Sequence, residues 1–461
     1  MECASKICHG EIRQAIMQPG LTVALLPWGD LIEDFLDGIG VSLEAFCKEM
    51  TGGWLFSYID ALRLVGVHTV VFCVSARVKA PVRFTNVPTG STICVLPALK
   101  SYLSLRRRML KPYGWTVEET FGEVQGIRRR IYAILRNVVP YLATPLGLLA
   151  REIRRERCKA ILCQEYEYAR FDTCVALGKV LSIPVFATFQ GGYWHLSRFE
   201  DLLRPLTMKA CTGLIIAPQT EVNRVLAKYG VPSFKIARIF NPIDLTMWGA
   251  VDRNETRAAL EIPSASRVVV WHGRVDIYRK GLDILLDAWK RVCNERTGQD
   301  LRLLLVGTGN DADELHRRIK AMQLQGVMWI DKYLLDRGTI RRYLSAADVY
   351  IFPSRHEGFP VAPVEAMACS LPVVAADAPG VSDIFEGGEA AGGIVVPRGD
   401  AAALALALGR VLDDPAWACE LGMRARRRVE SCFSLEAVGK QLRDFLSDRG
   451  LAITESREQV D

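Results

Sequence analysis

Two glutamates eight residues apart frame the run Glu357-Gly-Phe-Pro-Val-Ala-Pro-Val-Glu365. The run follows the apolar tetrad Val349–Phe352, which reads as a strand, and leads into a short helix predicted over Val364–Cys369. Glu357 then falls on the loop and Glu365 in the first helical turn, both at a strand end. Gly358 lets backbone come close to a ligand. The Gly358 and Phe359 N–H groups lie near a helix start, where donors have no intrahelical partner, whereas Pro360 has no N–H to give. A carboxylate accepts hydrogen bonds from paired sugar hydroxyls, so the loop suits a ribose and a hexose. It reads equally as a loop glutamate beside a helix-start glutamate favoured by the helix dipole.

A second run, Trp271-His-Gly273-Arg274-Val-Asp-Ile-Tyr-Arg-Lys280-Gly281, joins a strand to a helix. Arg274 offers a planar fork for phosphate oxygens and Lys280 a mobile point charge. Together they would neutralise a diphosphate whose charge grows as its bond to a sugar breaks. The plainer reading is a basic surface loop.

These residues need elements to hold them. Leu21–Leu26, Thr69–Val74, Ala160–Cys163, Val185–Phe189 and Gly213–Ala217 read as strands, with helical patterns over Cys174–Leu181 and Glu221–Tyr229. Asn241-Pro-Ile-Asp breaks the series. A second series follows, with strands at Val268–His272, Leu303–Gly307, Val349–Phe352 and Leu371–Ala376. Helices Gly281–Val292 and Ala312–Gln323 lie between them. Unbroken apolar runs suit strands covered on both faces. The expected class is therefore α/β, with two doubly wound Rossmann-like domains, and ligands at the carboxyl ends of the strands in the cleft between them. The expected division is 1–243, with a final helix near 433–461 crossing back to it, against 244–432.

The length of 461 residues is enough for two or three domains, and 50% apolar with 24% charged residues can build packed cores. No apolar run reaches the ~18 residues of a spanning helix; the nearest, Val138–Ala150, holds two prolines. Met1–Gly20 lacks the apolar stretch of a secretory leader. The thirteen cysteines are scattered, fitting reduced thiols, and the six histidines show no metal-ligand spacing. These features lead to the expectation of a soluble, cytoplasmic protein. The net charge of +6 is uneven: residues 100–159 carry fourteen Lys/Arg against five Asp/Glu, including Arg106–Arg108 and Arg128–Arg130. This stretch suits an anionic membrane surface or an anionic acceptor, or simply a solvated face. No stacked aromatics interleave with these charges, which argues against nucleic acid.

The ordered motifs Gly273-Arg274…Lys280-Gly281, Val306-Gly307-Thr-Gly309, Ala347-Asp-Val-Tyr-Ile-Phe-Pro-Ser354, Glu357-Gly-Phe-Pro…Glu365-Ala-Met-Ala and Leu412-Asp-Asp-Pro resemble the retaining glycosyltransferases of family 4. The likeness is dense over 241–445 and thin before it. It implies a GT-B fold, a nucleoside-diphosphate sugar as donor and a hydroxyl acceptor. It also implies no metal or other cofactor. By the same likeness Gly273, Arg274, Lys280 and Gly307 surround the diphosphate, Glu357 holds the transferred sugar and Glu365 the ribose. The amides of Gly358 and Phe359 serve the sugar and phosphate. UDP-sugar is slightly favoured over GDP-sugar by base rate alone.

The first half departs from the pattern. Gln190 stands where the family often has histidine, and His195 is an alternative contact. Gly29, in Pro27-Trp28-Gly29-Asp30, matches the family's glycine loop at donor and acceptor, so Trp28 and Asp30, with Glu165 after a later strand, are acceptor-side candidates. Asp311-Ala-Asp313 resembles a metal-binding pair of another transferase class but sits at a predicted helix start, where acidic residues cap. A GT-B epimerase, a phosphorylase and a non-catalytic sugar-nucleotide-binding subunit remain as alternatives.

Overall fold

The computed structural model describes residues 21–191, 198–334 and 336–451, apart from the side chains of Trp54 and Arg198. Met1–Gly20, with Cys3 and Cys8, and His195 lie outside the described residues.

Two sheets form the frame. The first contains β1 (Thr22–Leu26), β2 (His68–Ser75), β3 (Val82–Thr85), β4 (Thr92–Pro97), β5 (Ala160–Gln164), β6 (Val185–Thr188), β7 (Gly213–Ile215) and β8 (Ile236–Ala237). Their order is β3-β4-β2-β1-β5-β6-β7-β8, parallel except for β3 against β4. The second contains β9 (Arg267–His272), β10 (Leu301–Val306), β11 (Val327–Ile330), β12 (Val349–Phe352), β13 (Val373–Ala376) and β14 (Gly393–Val396), ordered β11-β10-β9-β12-β13-β14 and wholly parallel.

The unbroken apolar runs have the predicted consequence. Successive residues of one strand feed opposite cores: Val23 and Leu25 pack on one side of the first sheet, Ala24 and Leu26 on the other. In the second sheet Val268 and Val270 face one core, Val269 and Trp271 the other. Helices must therefore cover both faces, as a parallel sheet demands. In each sheet the chain reverses its direction of growth once, between β1 and β5 and between β9 and β12, and a crevice opens at the strand ends there.

The last helix, Leu435–Ser447, starts at Ser434, whose hydroxyl accepts from the Ala437 N–H at 3.1 Å. Its Val438, Leu442, Phe445 and Leu446 sit in the core shared by Val23 and Leu25. Phe445 meets Phe186 edge-on at 6.0 Å. The outgoing and returning chains run side by side, with the Ile243 N–H donating to the Phe433 carbonyl at 2.8 Å.

One helix differs from expectation. It spans Val361–Ala368 rather than Val364–Cys369, which puts Glu365 in the second turn instead of the first. Pro360 caps it and Pro363 is its third residue; proline is tolerated there because first-turn N–H groups have no intrahelical acceptor.

Candidate functional site

The crevice of the second sheet is built from the loops after β9 and β12. Beyond β9 a short turn, Ile277–Lys280, is capped by Asp276, whose carboxylate accepts from the Arg279 N–H at 2.9 Å. The turn ends in Gly281 at φ +63°, where a Cβ would run into the Pro353 carbonyl. The Arg355 N–H donates to the Arg279 carbonyl at 2.9 Å, and the Arg355 guanidinium grips Asp283 with two bonds of 2.7 Å. This clamp fixes the turn against the loop after β12, so the Lys280 ammonium lies 2.7 Å from Glu357 Oε1. Arg274 is exposed, and no carboxylate among the described residues pairs with it. Among the described residues neither Gly358 nor Phe359 has an acceptor for its N–H. The two loops thus bring together an ammonium, a carboxylate and two amide donors without an acceptor, and the loop after β9 also carries the exposed Arg274 guanidinium.

Glu365 lies on the inner side of this arrangement. Its Oε2 is 2.9 Å from His272 Nε2 and its Oε1 3.5 Å from Arg337 Nη1. Neither partner is given a role by the motifs: His272 ends β9 inside the second run, and Arg337 belongs to the Arg337–Ala346 helix, far from either run. Arg337 also reaches the first half, where its Nη2 lies 3.5 Å from the Thr51 carbonyl. Gly273 and Gly307 interlock, since a Cβ on Gly307 would strike the Gly273 carbonyl. The Phe359 ring itself is core, 5.5 Å from Phe240 and 6.2 Å from Phe433, so only its backbone can serve a ligand. Asp311 is structural: its carboxylate accepts from the Ile277 N–H at 2.8 Å.

The crevice of the first sheet is of another kind. Arg170, buried, donates to the carbonyls of Pro27 and Asp30 at 2.7 Å each and pins the loop after β1. Gly29 in that loop takes φ +86°, with space for a Cβ only 3.5 Å from the Tyr113 hydroxyl. Trp28 stacks on Tyr168 at 6.1 Å. Asp30 accepts from the Tyr102 hydroxyl at 3.0 Å. Burial raises its pKa from 3.8 to about 6, against the opposing pull of Arg170 and Tyr102. Asp30, Tyr113, Trp115, Arg136, Glu167, Tyr168 and Glu200 line a cavity of about 600 Å³ that includes open solvent. Behind it, buried Arg204 donates to Asp172 at 3.0 and 3.1 Å, and Arg224 pairs with Glu167.

Two first-half candidates, Glu165 on the acceptor side and Gln190 on the donor side, are held by other partners. Glu165 does not present its carboxylate to the crevice as a free acceptor. Its Oε1 takes the Glu167 N–H and its Oε2 the Gln190 N–H, both at 3.1 Å, and it holds a strained φ of +109°. It shapes the loop after β6. Gln190 is likewise engaged: its amide donates to Thr188 Oγ1 at 2.9 Å and accepts from Asn241 at 3.1 Å. Its neighbour Gly191, at φ +98°, abuts Gly358 so closely that a Cβ on either would collide with the other's Cα. The two crevices therefore face each other across a contact of two glycines.

Residues 266–414 match the family model for Glycosyl transferases group 1, and residues 110–247 that for Glycosyltransferase Family 4. A D-inositol 3-phosphate glycosyltransferase of Kineococcus radiotolerans is 28% identical over 53% of this chain and 60% of its own length. A GDP-mannose-dependent phosphatidylinositol monomannoside mannosyltransferase of Corynebacterium glutamicum is 31% identical over 42% of this chain and 51% of its own. The matches thus span only about half to three-fifths of those relatives. Among solved structures, a sucrose-phosphate synthase from Thermosynechococcus elongatus superposes with a TM-score of 0.64 at 21% identity, over 93% of this chain and 98% of that one. Anabaena HepE, solved with UDP, gives 0.66 at 16% identity, over 93% and 100%. With two doubly wound sheets opposed across a strand-end cleft and both halves matched, this chain carries the paired domains of the group 1 and family 4 glycosyltransferases on a GT-B frame.

Proposed function

We propose that the chain transfers a hexose-type sugar from a nucleoside-diphosphate sugar to a hydroxyl acceptor, retaining the anomeric configuration. The observation that carries this is the Lys280–Glu357 pair next to the acceptor-free Gly358 and Phe359 amides, with Arg274 exposed in the loop after β9. Arg274 and Lys280 take up the diphosphate charge as the glycosidic bond lengthens, and Glu357 accepts hydrogen bonds from the departing sugar. Glu365, held by His272 and Arg337, receives the ribose hydroxyls. No protein nucleophile is required if the acceptor attacks from the leaving-group face and the leaving phosphate takes its proton. The diphosphate charge is met by side chains and amides, and the reaction uses neither metal nor other cofactor. In this reading residues 1–243, with the closing helix, serve the acceptor, and 244–432 the donor. The relatives divide on the donor base: HepE was solved with UDP, and the Corynebacterium glutamicum relative is GDP-mannose-dependent.

A thermal-shift screen against UDP, GDP, ADP and their sugars tests the donor assignment, since a ligand of the native state raises the melting temperature by mass action. A shift with one nucleotide series and undiminished turnover in chelator is expected; the absence of any nucleotide shift would refute the reading.

A further inference from the structure

The helix Gly126–Val138 has no buried residue. A helix on a globular unit normally turns its apolar stripe inward; this one turns it out. Ile127, Ile131, Ile134 and Val138 lie on one face and are 76, 51, 63 and 40% exposed. Helical spacing sets Arg128 and Arg130 on the two flanks of that stripe, and both are exposed. Other contacts anchor the helix: Tyr132 packs on Phe121 at 4.6 Å, Arg129 pairs with Glu118 at 2.7 Å, and Arg136 Nε donates to the Gly114 carbonyl at 3.2 Å.

The Arg198–Ala210 helix packs beside it and repeats the pattern. Phe199, Leu202 and Leu206 are 40, 68 and 62% exposed, while Glu200 turns to Arg204 and Asp201 to Lys228. Seven large apolar side chains on two adjacent helices form a patch, not the scattered singles of an ordinary surface. By length and composition alone, 126–155 would pass for a membrane-crossing helix. The fold prevents that, because helical structure stops before Pro145 and the next helix, Leu146–Arg155, sends Leu149 and Ile153 into the core. An apolar stripe flanked by arginines suits a helix lying in a headgroup layer.

We propose that the face formed by these two helices docks on an anionic lipid bilayer. Arg136 and Glu200, from the same two helices, also line the cavity beside Asp30. Arg136 lies half a turn round its helix from the apolar stripe, so docking holds that cavity one helix diameter (~10 Å) from the bilayer, within reach of a lipid-borne hydroxyl. This last step rests on the transferase reading; the docking itself does not.

The full chain is sedimented with vesicles of phosphatidylcholine alone or mixed with phosphatidylglycerol. Binding to the anionic vesicles is expected, weakened by salt. It should fall about tenfold or more in Ile131→Asp/Ile134→Asp and in Arg128→Glu/Arg130→Glu. Because these side chains are exposed, the variants should keep the parent's melting temperature and its nucleotide shift, so a failed donor reading registers separately. The proposal is overturned if the parent ignores anionic vesicles or if the variants bind them as the parent does. It also falls if sedimentation velocity shows a dimer that Ile131→Asp abolishes, which would assign the face to a second copy.

Discussion

The crevices at β9/β12 and β1/β5 occupy equivalent places in their sheets yet are made differently. At β9/β12 the polar groups stand at the surface of short, glycine-punctuated loops: Lys280 opposes Glu357 at 2.7 Å, and Arg274 is exposed. At β1/β5 the loop is pinned from beneath by Arg170, a residue 140 positions or more from the carbonyls it holds, and walled by aromatic rings. The first arrangement suits a constant, charged fragment that every reaction of this kind shares. The second, deeper and framed by replaceable side chains, suits the variable partner.

The sharpest way to break this contrast is to remove the paired charges of the β9/β12 crevice. Lys280→Ala or Glu357→Ala should lower turnover by roughly 10²–10³-fold with an unchanged fold; near-parental rates in a donor-consumption assay would strip the β9/β12 crevice of its chemistry. Next comes the contact that joins the crevices. Gly191→Ala places a Cβ against Gly358 at a φ of +98°, which strains the backbone and pries the loops apart. A loss of about 10²-fold is expected from that misplacement, and a parental rate would mean the loops need not meet. Glu365→Gln should weaken nucleotide affinity about tenfold, the scale of one charged hydrogen bond, while turnover at saturating donor changes less. Equal nucleotide affinity by calorimetry would contradict the ribose role.

The last effect is on stability rather than activity and belongs to the other crevice. Because the Asp30 carboxyl is raised to about 6 in the fold from 3.8, the native state binds the proton more tightly than the unfolded chain. Its ionisation therefore costs stability, fully above pH 6 and not at all below the unfolded value, by up to about 3 kcal/mol. Asp30→Asn should be more stable than the parent at neutral pH, with the gap closing as pH falls toward 4. A gap independent of pH, measured by denaturant melts, would show that Asp30 is not the buried acid described.

The same contrast explains what the sequence made legible. The loops holding Arg274, Lys280, Glu357 and Glu365 are local: a strand, a glycine and a helix start lie within a dozen residues, so order along the chain is nearly order in space. His272 and Arg337 were missed because they reach Glu365 from the strand end and from a distant helix. Arg170 and the Arg204–Asp172 pair were missed because a buried charge in a helical pattern looks like a solvated one until its partners are known. The strands of unbroken apolar residues were read with the right type and nearly the right ends. Of those that escaped, β3 is an exposed edge strand of four residues, β8 has two, and β11 and β14 are partly exposed; β4 escaped although its Ile93–Leu96 run is unbroken and buried. In the basic stretch 100–159 the run Leu146–Arg155 reads as apolar and basic at helical spacing, yet it is not the run that turns its apolar side out. Which of its helices turns apolar residues outward depends on packing: Arg106 is consumed by Asp34, and Leu149 and Ile153 go inward while Ile127 and Ile134 do not.

The closing helix carries a consequence for the protein's birth. Val438, Leu442 and Phe445 complete the core around Val23 and Leu25, yet they leave the ribosome only after the whole second sheet has been made. The amino-terminal half, synthesised first, waits with an open apolar flank while the carboxyl-terminal half can fold as a unit. Assembly order thus inverts synthesis order, and a nascent chain stalled before Leu435 would expose that flank to chaperones.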